Sequence, residues 1–295
     1  MVHAIGVDVS VTTLKLGLFD EDGNLIRGRD VPTPWLPTPG TITIALCEAV
    51  RSLDPDYCAS LIGISLPGSI DVNARVARVC INLPGWRDVP LAEWLEARLN
   101  RRVILADDIS CDLEGEVWKG AAVNFADVVL LTVGARVSAG VMLGGKMLAS
   151  YSADAAKLGL AGTHFNIASG QFVRIDTAFE HSHSHGSIEL AQRDDQQAFI
   201  VWGNSITTLG LGISSLIYTF TPQVILLGGV LASGSSYFLT AVRQQVEQLM
   251  QVANCENPLI RSCALGNSVR GLGAAHLALR HLGRGVNRVG REDDV

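Results

Sequence analysis

Apolar residues in this chain follow two rhythms. Some come as short unbroken runs, which read as buried strands, and others recur at helical spacing. Residues 4–9, Ala-Ile-Gly-Val-Asp-Val, form the first run. A Ser-Val-Thr-Thr turn follows, and residues 14–20 make a second strand. Asp22-Gly23 is a strong hairpin signal, so a third strand starts at Leu25. Residues 41–53 suit a helix, and residues 61–65 a strand that ends in Pro67-Gly68. Leu91, Trp94, Leu95 and Leu99 predict an amphipathic helix over 90–100. The run Val103-Ile104-Leu105-Ala106 then stops abruptly at Asp107-Asp108, and a helix is expected from there to Trp118.

The pattern begins again near residue 127. Residues 127–132 read as a strand, 133–136 as a turn and 137–143 as a strand. Gly144-Gly145 is a hairpin turn, and Lys146 opens another strand. Later come residues 224–227 ending in Gly228-Gly229, and an amphipathic helix carrying Phe238, Val242, Val246 and Leu249. A strand near Ile260 and a helix over 269–281 close the chain. Strands alternating with helices indicate α/β layers. The repeated three-strand opening predicts two related lobes with a cleft between them. Residues 1–118 would form the first lobe and 119–283 the second, its last helix packing back on the first. Residues 284–295 are polar and charged, as in a frayed tail.

Composition narrows the function classes. The chain has 295 residues, 48% of them hydrophobic and 18% charged, which marks a well-cored globular protein. A net charge of −6 argues against a nucleic-acid surface. The six cysteines form no C-x-x-C pair, so they read as small buried hydrophobes of a reducing compartment. The N-terminus lacks the basic and apolar regions of a signal peptide. The apolar stretch 206–220 is broken by Thr, Gly and Ser, and fits a buried helix rather than a membrane span. A cytoplasmic protein without membrane contact is expected.

Asp108 is the first candidate for chemistry. Parallel strands carry their functional groups just past their carboxyl ends, and a carboxylate fixed there can accept a proton from a hydroxyl. The competing reading makes the two acids caps of the next helix, a position that Asp favours.

The ordered set of motifs resembles the ROK family of sugar kinases and repressors. It comprises Ile5-Gly6-Val7-Asp8-Val9 with Thr12, Gly63 through Pro67-Gly68 with Asp71, and Ile81-Asn82-Leu83-Pro84-Gly85-Trp86. The strand ending at Asp108, Glu116-Val117-Trp118-Lys119-Gly120-Ala121-Ala122, residues 224–229 and Leu265-Gly266 with Gly273-Ala274-Ala275 continue it. The match runs to about residue 281. The resemblance implies the two-lobed, duplicated actin-like ATPase fold (ribonuclease H-like), a homodimer, and the cofactors ATP and Mg²⁺. It implies Asp8 near the metal, with Ser10, Thr12, Gly134, Arg136, Gly228 and Gly229 binding the nucleotide. Asp108 would be the catalytic base, and Asn82, Asp107 and Lys157 would contact a small-molecule sugar. The family's repressors carry an additional N-terminal DNA-binding domain. Here the first strand starts at residue 4, so nucleic acid is not an expected partner.

Departures from the family pattern keep alternatives open. Ser10 and Val11 stand where the family has two glycines, so the first loop reads either as a phosphate loop or as an ordinary hairpin turn. Asp107 replaces the usual Asn. Asn82 is either a sugar contact or a turn residue before Pro84-Gly85. The second loop, Gly134-Ala135-Arg136-Val137-Ser138-Ala139-Gly140, replaces G-T-G-x-G-G-G. Arg136 can pair with a phosphate or fill its space. Lys157 and Leu160 replace the family's Glu and His, and its zinc-binding cysteine run is absent, so no structural zinc is expected. His181, His183 and His185 read as a polar surface loop, with metal binding the lesser reading. Two functions remain: an ATP-dependent sugar kinase, and a non-catalytic relative that senses a sugar or nucleotide or serves as a partner protein.

Overall fold

The computed structural model describes residues 2–80, 82–133, 137–148, 163–166, 171–174, 196–229, 236–251 and 258–286. The chain divides into two compact units, Met1–Lys119 with Asn267–Val295, and Gly120–Gly266.

The first unit is built on a five-stranded sheet. β1 (His3–Val9), β2 (Thr13–Asp20) and β3 (Leu25–Pro32) form the expected meander. β4 (Ala59–Leu66) then pairs parallel to β1. A small antiparallel sheet follows, made of β5 (Gly68–Asp71), β6 (Val76–Cys80) and β7 (Arg87–Val89). The hydrophobic pattern did not predict it, because its strands are short and alternate poorly. β8 (Arg102–Asp107) completes the main sheet by pairing parallel to β4, giving the order β3-β2-β1-β4-β8.

Helix α1 (Pro39–Leu53) starts two residues before the expected position. Thr38 caps it by accepting from the Thr41 amide, and Pro39 suits the first turn. It buries Ile42, Leu46, Val50 and Leu53, one face at helical spacing, against the sheet. Helix α2 (Leu91–Leu99) ends at Asn100, which takes the left-handed conformation at φ 51°. Helix α3 (Asp108–Lys119) follows β8 directly.

The second unit repeats the plan. β9 (Val128–Val133) and β10 (Val137–Leu143) are antiparallel, and β11 is only Lys146–Met147. β12 (Thr163–Asn166) and β13 (Gln171–Arg174) form a separate ribbon. Helix α4 (Gln196–Phe220) contains the apolar stretch read as a buried helix, and packs on α5 (Ser236–Met250). β14 (Val224–Gly228) and β15 (Leu259–Ser262) pair parallel beyond β9, so the order is β11-β10-β9-β14-β15. Val129, Leu131, Leu209, Ile213, Ile225, Leu227, Phe238 and Val242 fill this core. This duplicated α/β architecture is the one that the resemblance implied. Among the described residues no helix is long and apolar enough to cross a membrane.

The closing helix α6 (Val269–Val286) belongs to the first unit and lies on β1, β4 and α3. Small residues let it come so near. A Cβ on Gly6 would stand 1.8 Å from the Gly271 carbonyl oxygen, and one on Gly63 1.8 Å from that of Ala274. A Cβ on Gly273 would stand 1.9 Å from the Cys111 carbonyl oxygen of α3. Gly6 and Gly63 are register partners, so together they make one flat seat in the sheet.

Candidate active site

The carboxyl ends of β1, β4 and β8 line up in register. Asp8 pairs with Ser65, and Leu66 pairs with Asp107. This row carries the acids singled out from the sequence, and the glycine-seated helix α6 brings a cation beside it.

Asp107 and Asp108 are held differently. Asp107 caps α3: one carboxylate oxygen accepts from the Ser110 amide at 2.9 Å, the other from its hydroxyl at 2.8 Å. Burial raises its pKa, although the Ser110 bonds oppose the rise. Asp108, the first helical residue, has 38% of its side chain exposed. One oxygen accepts from the Ile109 amide at 3.0 Å. The other lies 3.9 Å from the guanidinium of Arg270.

Arg270, on the first turn of α6, anchors a compact charge network. Its Nε lies 3.1 Å and its NH2 group 3.3 Å from the two oxygens of Asp112, a bidentate grip. Asp112 sits one turn after Asp108 on the same face of α3. Burial pushes Asp112 up to about 7, against the pull of Arg270. Burial also raises Asp8, which is opposed by Arg270 and Lys15 and reinforced by Asp108. Burial disfavours the Arg270 charge, but Asp112, Asp108 and Asp8 outweigh it and hold the guanidinium protonated. The thiol of Cys80 is pushed up to about 12, by burial first and then by Asp108, so it is no nucleophile.

Arg270 and Asp112 were not among the sequence candidates. The spacing of Asp108 and Asp112 was a signal available in the sequence, but Arg270 lies far along the chain and only the fold brings it here.

The Ser10–Thr12 turn closes without glycine. The Ser10 hydroxyl accepts from the Thr13 amide at 3.0 Å and donates to the Thr13 carbonyl at 2.8 Å. Neither Ser10 nor Val11 has positive φ, so the turn needs no glycine and the exchange carries no backbone strain. The Ser10 hydroxyl is thus engaged within the loop. Thr12 Oγ1 lies 3.5 Å from it.

Asn82 takes φ 63° on an exposed turn, and Gly85 takes φ 75°. A left-handed conformation at a turn is one that Asn tolerates better than most residues. Its amide remains on the surface. In the second unit, β14 delivers Gly228 and Gly229. Gly229 has φ 87°, and a Cβ there would stand 2.4 Å from the Val133 carbonyl oxygen, so only glycine fits. Gly134, Ala135, Arg136, Lys157, Leu160, His181, His183 and His185 lie outside the described residues, so the second loop and the Lys157 segment have no structural account.

Among the described residues no three His, Cys, Asp or Glu side chains converge as a metal cage. Magnesium asks for less: one or two carboxylates, with water and substrate phosphates supplying the rest. Asp8, a carboxylate at a strand end, fits that demand.

A model described as the ROK family matches residues 4–281. The glucokinase of Thermotoga maritima is 24% identical over 273 residues, covering 82% of this chain and 86% of that one. The ROK hexokinase of Thermus thermophilus superposes with a TM-score of 0.82 at 26% identity, covering 96% of this chain and 100% of that one. A ROK family glucokinase from Streptomyces griseus, solved with glucose and AMPPNP, gives a TM-score of 0.73 at 21% identity, covering 94% and 99%.

Proposed function

The chain belongs to the ROK family, and from that premise we propose that it transfers the terminal phosphoryl group of ATP to a hydroxyl of a hexose or amino sugar. The observation that carries the reading is the division of labour at the end of β8. Asp107 spends both oxygens on capping α3, whereas Asp108 has one oxygen held by an amide and a side chain that is partly exposed. A carboxylate so held can accept the proton of a sugar hydroxyl as its oxygen bonds to phosphorus and the nucleoside diphosphate departs. Such a base contributes about 10²–10⁴ in rate.

The remaining residues suit distinct tasks. In the first unit, Thr12 is the hydroxyl of its turn for a phosphate, since that of Ser10 is engaged with Thr13. Asp8 is the carboxylate for magnesium, which when bound neutralises phosphate charge during transfer. In the second unit, Gly228 and Gly229 are held to glycine by Cys263 and the Val133 carbonyl, and by resemblance their backbone is the part offered to a nucleotide. Asn82 offers an exposed amide to sugar hydroxyl pairs. Arg136 and Lys157 keep their roles by resemblance alone, as do the cytosolic location and the homodimer.

The test is a panel of hexoses and amino sugars incubated with Mg·ATP. One sugar yielding sugar phosphate and ADP in equal amounts supports the reading. No product across the panel, together with no thermal stabilisation by Mg·ATP, overturns it in favour of a partner protein. Stabilisation without product favours a sensor.

A further inference from the structure

We infer that Arg270 is a positioning residue for Asp108, held in place by Asp112, so that this chain carries a resident cation beside its proton acceptor. The inference rests on the kinase reading for what Asp108 does, but its geometry stands on its own.

Three observations carry it. Asp112 fixes the guanidinium through two of its nitrogens, leaving a planar cation with one defined orientation. The oxygen of Asp108 that no amide holds is the one facing Arg270, at 3.9 Å. The place of Arg270 is set by backbone contact, since Gly273 packs on the Cys111 carbonyl and Gly115 packs on Val269, next to Arg270. The cation therefore cannot drift without moving the helix pair.

The surroundings make that cation necessary. Asp8 on β1 and Asp107 and Asp112 on α3 and its cap place three further carboxylates around Asp108. Lys15 on β2 is the other cation acting on Asp8. Without Arg270 the carboxylates repel one another, and Asp108 loses the group that orients its second oxygen. A guanidinium at 3.9 Å is near enough to orient and far enough to leave the oxygen open to a hydroxyl.

The test is a double-mutant cycle. Arg270→Met should lower kcat about tenfold or more, with KM for sugar and nucleotide within about threefold. Arg270→Lys, which restores the charge without the fork, should recover part of the loss. In an Asp108→Asn background, Arg270→Met should cost less than about twofold, because the group it positions is gone. Equal losses in both backgrounds would overturn the inference, as would a loss confined to nucleotide KM. If Arg270→Met does not fold, Arg270→Lys and Asp112→Asn carry the same cycle. If the native chain phosphorylates nothing, the kinase reading falls and the cycle is read from melting temperatures. Non-additive shifts for Arg270 and Asp108 then sustain the coupling, and additive shifts sink it.

Discussion

The two units share a strand plan and differ in what they put at its end. Each has an antiparallel meander followed by two parallel strands, β3-β2-β1-β4-β8 in one and β11-β10-β9-β14-β15 in the other. In the first, the strand ends carry Asp8, Asp107 and Asp108, with Arg270 set against them by a helix. In the second, β14 ends in two glycines and a bare backbone, with Gly229 confined by the Val133 carbonyl. The plan positions strand ends and leaves their chemistry to the residues placed there. One end is built from side-chain charge, which depends on protonation. The other is built from the absence of side chains, which does not.

That contrast can be broken at the seat that delivers the charge. Gly63→Ala puts a methyl group within 1.8 Å of the Ala274 carbonyl oxygen, so α6 must lift. Overpacking against backbone costs about 1–3 kcal/mol or more. Chemical denaturation should show that loss, and the activity left in the folded fraction should fall too, because Arg270 moves with the helix. Unchanged stability would mean that the helix is not seated as described.

The glycine end responds differently. Gly229→Ala combines positive φ with a backbone overlap, and a cost of about 1–2 kcal/mol is expected for forcing a side chain there. Its effect should be the same from pH 5 to 8, because no titrating group is involved. Calorimetry across that range checks it.

A further prediction concerns pH. Asp112 ionises near 3.8 when unfolded and near 7 when folded. Between those values the unfolded chain has released a proton that the folded chain retains. The contribution of Asp112 is therefore fully present at low pH, declines as pH rises from about 4, and is lost by about 7. Asp112→Asn should flatten that decline in denaturation midpoints. An unaltered profile would place the titration elsewhere.

The sequence made some of this legible and hid the rest for physical reasons. Both meanders were readable because an apolar run, a turn and a second run are local signals. Asp108 was conspicuous because it breaks such a run. The β5-β6-β7 sheet was not readable, since strands that bury few side chains leave no period. The charge network was hidden more deeply. Arg270 and Asp112 are 158 residues apart and meet only because glycines bring α6 onto α3. The apolar exchange at Val11 looked damaging beside a glycine pattern, yet the turn around it is closed by Ser10 with no positive φ.

The central claim is that Asp108 takes the proton of a sugar hydroxyl during transfer from ATP. The direct measurement compares native chain and Asp108→Asn for sugar phosphate formed per second, with nucleotide affinity measured on both. Turnover in the variant should fall by at least about 100-fold, while the nucleotide dissociation constant stays within about threefold. A variant that keeps its turnover, or one that loses nucleotide binding in step with turnover, would contradict the account.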